Sequence, residues 1–200
     1  MKKNLIVSII VILLSGLLVN FSEAAPFSLP EGFLIFKLGD TKENVTKNVT
    51  ETYGVRNNAV TSGQTINYAP DFIISDVIFT RPSELILGAK VDSIKCVFRN
   101  NQLFRIEILF TRGTPRNFHK DLSDALKSRY KEFNTFHGQA EIGDTQLFLS
   151  EETPAGLFTP RIDPGITVFI SSLMTEWNNQ RFQQTRNQEE LRKQNIQDQL

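Results

Sequence analysis

The chain has 200 residues with 22 basic and 22 acidic side chains, a formal net charge of zero. That balance argues against a nucleic-acid binder, which gathers phosphates with a basic excess or stripe, and no polybasic segment is present to hold a membrane surface. Aromatic content is skewed to 16 Phe against 3 Tyr and 1 Trp, which points to core volume and away from an aromatic platform for sugars or bases.

Residues 1–24 read as a cleaved export signal. Lys2 and Lys3 form a basic start, Leu5 to Val19 is apolar except for Ser8, Ser15 and Gly16, and Ser22-Glu23-Ala24 offers the small-x-small pattern for a cut before Ala25. No cysteine follows the run, so a lipobox is missing. The apolar core of about 15 residues is short for a hydrocarbon layer ~30 Å thick, and Asn20–Glu23 closes it without the Lys/Arg flank of a retained anchor. An uncleaved anchor is the rival reading. The expectation is a periplasmic or secreted protein with no stable membrane anchor.

Loss of Lys2, Lys3 and Glu23 with the signal leaves 20 basic and 21 acidic groups, a net charge of −1. The remaining length suits one α+β domain over 25–172, or two tandem helix-plus-sheet units over 33–112 and 113–172. Cys96 is the only cysteine, so no intrachain disulfide can form. It alternates with Ile94 and Phe98 against Lys95, Val97 and Arg99, which places the thiol with the apolar set.

In chain order, Gly32–Leu38 reads as a strand, and Asp40 with Glu43 three residues on reads as a capping box. Val45 and Val49 share one face of the helix that follows, and Gly54 suits its left-handed end. A short strand is expected near Ile66–Tyr68. Stronger ones cover Phe72–Thr80, Glu84–Val91, Ser93–Arg99 and Leu103–Arg112, with Asn100-Asn101 tolerating the positive φ of a tight hairpin. Thr114-Pro115 opens an amphipathic helix over 115–133, with Phe118, Leu122, Leu126, Tyr130 and Phe133 on its apolar side. Thr145–Ser150 and Gly165–Ser172 read as two more strands around a Pro/Gly loop. The sum is an antiparallel sheet of five to seven strands with a helix on one face.

The tail 173–200 reads as a helix anchored by Met174, Trp177 and Phe182, then solvated, since Leu191, Ile196 and Leu200 sustain no heptad. Trp177, Phe182 and Leu191 are the candidate interaction residues.

Catalytic signatures are missing. His119 and His137 have no partner at metal-ligand spacing, there is no G-x-S-x-G elbow, and adjacent Glu151 and Glu152 point to opposite faces of an extended chain. No catalytic, metal or cofactor residue is assigned. Asn44-Val-Thr and Asn48-Val-Thr are sequons that helix composition also explains.

Leu38-Gly-Asp-Thr-Lys-Glu-Asn-Val45, followed by a helix and a β-meander, resembles the SmpA/OmlA and β-lactamase-inhibitor-like helix-plus-sheet exported modules. The resemblance implies action by protein contact, while the missing lipid-anchored cysteine sets this chain apart from the outer-membrane assembly members. The function expected is therefore a non-enzymatic protein-binding or envelope-associated module with an unidentified protein partner. The alternative is a hydrolase or small-ligand protein built from dispersed residues such as His119, His137, Glu151 and Glu152.

Overall fold

The computed structural model describes residues 32–111, 117–135, 138–150 and 164–197. The expected export signal, the Thr114-Pro115 helix start, His137, Glu151 and Glu152 lie outside them. The fold is α+β: among the described residues it has an antiparallel sheet of eight strands with three helices.

The chain enters through a small hairpin, β1 (Gly32–Phe33) and β2 (Phe36–Lys37). One strand over Gly32–Leu38 was the expectation. Leu34 instead takes a φ of 55° and turns the chain so that Phe33 and Phe36 both enter the core. Helix α1 (Lys42–Tyr53) is capped by Thr41, whose hydroxyl accepts from the Asn44 amide at 3.3 Å. The expected cap, Asp40, stands one residue too early. Its carboxylate accepts from the Thr41 N–H and the Asn44 side chain, both at 2.9 Å. Val45, Val49 and Tyr53 form the buried stripe, and Gly54 ends the helix at a φ of 61°.

A 3₁₀ turn (Asn57–Ala59) leads to β3 (Val60–Ser62) and β4 (Ile66–Ala69), which pair side by side along one edge of β5 (Phe72–Thr80). The expected strand over Glu84–Val91 does not form. Ile86 and Ala89 exchange backbone hydrogen bonds at 3.0 and 3.1 Å around Leu87 and Gly88, both at positive φ, so this stretch is a tight turn. Its apolar residues Ile86 and Ala89 are buried, which is the signal that mimicked a strand.

The centre of the sheet is β6 (Val91–Arg99) and β7 (Gln102–Phe110), joined by Asn100 and Asn101 at φ of 49° and 69°, the tight turn the paired asparagines suggest. After α2 (Phe118–Arg129) come β8 (Gln139–Ile142), β9 (Thr145–Ser150) and β10 (Gly165–Ile170), and the order is β3-β5-β6-β7-β10-β9-β8. Helix α2 stops before Tyr130, where the chain turns extended and buries Tyr130 and Phe133 in the core. The expected helix over 115–133 is thus shorter at its C-terminal end, because burying these rings needs the chain to leave the helix axis. Helix α3 (Ser171–Gln197) closes the described chain.

Side chains alternate across a strand, so the sheet has two different faces. One carries Val77, Phe79, Ile94, Cys96, Phe98, Ile106, Ile108, Leu147, Ile166 and Val168 into the main core with α1 and α2. Cys96 sits in that core, where burial pushes its thiol up and keeps it protonated. The other face carries a smaller cluster of Phe72, Ile74, Val97 and Phe104.

Candidate interaction surface

The second sheet face builds from register. Ile78, Lys95, Glu107, Thr167, Phe148 and Gln139 are successive cross-strand neighbours from β5 to β8, and so share one side. The adjacent row runs Asp76, Val97, Arg105, Phe169, Gln146 and Glu141. Four of the five charges here are paired in place, and Glu141 at the β8 edge is exposed. Lys95 meets Asp76 at 3.1 Å and Arg105 meets Glu107 at 2.5 Å. Phe148 and Phe169 stack with ring centroids 5.7 Å apart and nearly parallel planes, leaving Phe148 37% exposed.

Helix α3 starts from an anchor on the β8–β9 turn. The Asp144 carbonyl accepts from the Ser171 amide at 2.7 Å. Its carboxylate accepts from the Ser172 amide at 2.8 Å and from the Ser172 hydroxyl. A carboxylate at a helix start satisfies amides that have no partner within the helix and faces the positive end of its dipole.

The first turns then lie on the second face. Leu173, Met174 and Trp177 pack against its cluster. Trp177 meets Phe104 edge-on at 5.9 Å, with the Arg181 guanidinium 5.7 Å from its ring centre. Arg99 stands over the Phe72 ring and pairs with Glu176 at 3.2 Å. Beyond this dock every residue from Arg181 to Gln197 is exposed. That is about 25 Å of helix at 1.5 Å per residue.

The three residues singled out from sequence fall in two environments. Trp177 is a half-buried anchor, while Phe182 and Leu191 are 66% and 61% exposed. Nine residues of separation place the latter two on opposite sides of the helix, roughly 180° apart. Ile196, 51% exposed, lies roughly 40° from Phe182 and shares its side. Sequence reasoning did not pick out the Phe148–Phe169 stack, whose partners come together only through pairing of β9 with β10. His119 is half-buried on α2. Among the described residues, no group of three or more His, Cys, Asp or Glu could hold a metal ion, and no helix is long and apolar enough to cross a membrane.

No family model, curated protein or solved structure matches this chain.

Proposed function

We propose that this chain is an exported protein that acts by binding another protein through α3 and the sheet face on which α3 docks. The observation that carries the reading is the exposed arm from Arg181 to Gln197. A helix of this length gains little stability by itself in water, since most helical stability in proteins comes from packing an apolar face. The arm nevertheless holds Phe182, Leu191 and Ile196 out to solvent on different sides. A partner that wraps or bundles with the arm would bury all three.

Two further features support the reading. The order of one helix followed by antiparallel strands occurs twice, from α1 to β7 and from α2 to β10, which suits the tandem form of the modules that Leu38–Val45 resembles. The centre of the second sheet face also mixes half-buried apolar groups with the paired charges Lys95–Asp76 and Arg105–Glu107, so a partner could cover that centre without stranding an unpaired ion.

The test is cross-linking in the exporting compartment, comparing the full chain with one truncated after Gln180. A stoichiometric protein adduct lost on truncation supports the reading. The same adducts from both chains would remove the arm from the mechanism, and no adduct from either would remove protein binding altogether. Mass spectrometry of the mature N-terminus tests export: a chain still beginning at Met1 or Lys2 would exclude signal cleavage.

A further inference from the structure

A second feature lies at the far end of β5. This strand runs nine residues, about 26 Å at 3.3 Å per residue, from Phe72 beneath α3 to Thr80. There an open cleft of about 630 Å³ is lined by Arg56, Asn58, Thr80, Arg81, Ser83 and Asp92, with Gly54 and Ala59. Its walls are tied together. The Arg81 amide donates to the Asp92 carbonyl at 2.8 Å, Thr80 Oγ1 to the Ala59 carbonyl at 3.2 Å, and Ser83 Oγ to the Gly54 carbonyl at 3.3 Å.

Two observations separate this cleft from ordinary surface. The first is where the uncommitted guanidinium groups fall. Among the described residues, Arg99, Arg105 and Arg186 pair with carboxylates, and Arg129 and Arg181 lie over aromatic rings. Arg56, Arg81 and Arg192 have neither kind of partner there; Arg192 stands alone on the exposed arm of α3, whereas Arg56 and Arg81 line this one cleft together. The second is the backbone of Arg81, held at a φ of 50°. Glycine or asparagine occupies that region at less cost, and strained residues of this kind cluster at ligand sites.

We propose that this cleft binds a small oxyanion, a phosphate or carboxylate group held by the guanidinium forks of Arg56 and Arg81. The planar fork suits two parallel hydrogen bonds to such a group. Asp92 lines the same cleft and Glu84 stands beside Gly54. Selection therefore rests on fork geometry rather than on net charge, and Asp92 opposes binding.

The test titrates the full chain with sodium phosphate, and separately with sodium succinate, at constant ionic strength, following the arginine Nε–H resonances by NMR. Saturable binding with a Kd of about 10 mM or tighter, with Arg56 and Arg81 signals moving together, supports the site. The anion that saturates first identifies which group is preferred. Arg56→Gln and Arg81→Gln should each weaken binding about fivefold or more, and Asp92→Asn should tighten it. Arg81→Gly should lose binding while melting at a higher temperature than the parent, which separates loss of the site from loss of the fold. Sodium chloride producing the same shifts would mean an adventitious ion only. That result, no saturation, or unchanged affinity in both glutamine variants overturns the proposal.

Discussion

Helices α1 and α2 have 12 residues each and α3 has 27. Yet the short helices each bury a stripe, Val45, Val49 and Tyr53 in one and Leu122, Ser123 and Leu126 in the other, while α3 has no fully buried residue. Length and burial are therefore decoupled in this molecule. The short helices are held from the side by the main core. The long one is held at its start, by Asp144 and the Trp177 dock, and then runs free.

That difference orders the expected effects of substitution. Leu126→Ala removes a buried side chain from α2 and should cost about 3 kcal/mol, read as a lower urea midpoint with an unchanged slope. A loss below about 0.5 kcal/mol, the range of an ordinary surface substitution, would mean that α2 is not held by its stripe. Trp177→Ala acts on the dock of α3. We expect about 2 kcal/mol, less than a fully buried tryptophan because the ring is half exposed. Hydrogen exchange should rise along Ser171–Gln180 while the amides of β6 stay protected. Equal loss of protection in β6 would show that α3 and the sheet unfold as one unit.

Asp144→Ala removes the groups that cap α3 and should cost about 1 kcal/mol, the usual size of an N-cap loss. Its hydrogen-exchange signature should start at Ser171 and Ser172, ahead of Trp177. Truncation after Gln180 should be the mildest, within about 0.5 kcal/mol of the full chain, measured by urea unfolding. A larger loss would show that the arm has a stabilising contact within the molecule beyond that of Arg181 with the Trp177 ring, and would weaken its assignment to a partner.

The physical origin of each element decides how readable it was. Strands β5 and β9 match their sequence ranges, Phe72–Thr80 and Thr145–Ser150, because their patterning is strong and bounded by turn residues. The Asn100-Asn101 turn was legible for the same local reason, and so was the burial of Cys96. Strands β3 and β8 were not anticipated. They are short and lie at sheet edges, where pairing with a neighbour rather than their own pattern makes them strands. The reverse error occurred at Glu84–Val91, where Ile86 and Ala89 are apolar because a turn packs inward.

The interaction surface was legible only in part. Phe182 and Leu191 stand out as large apolar residues in a polar tail, and both are exposed. Trp177 stands out equally, but its role depends on Phe104, which lies 73 positions earlier in the chain. The cleft of Arg56 and Arg81 had no sequence signal, since turn residues, a strand end and a left-handed arginine meet there only after folding.

By itself the amino-acid sequence determined what is local: the α+β class, the period-two strands, the glycine that ends α1 and the polar character of the C-terminal tail. Each follows from the preferences of neighbouring residues along a few turns or one strand. Only the tertiary structure decided that two runs of strands join through β7 and β10 into one sheet, that Asp144 starts α3, and that half of α3 docks while half does not. Those outcomes depend on pairing between residues far apart in the chain, where alternative partners carry the same local pattern and only mutual burial selects among them.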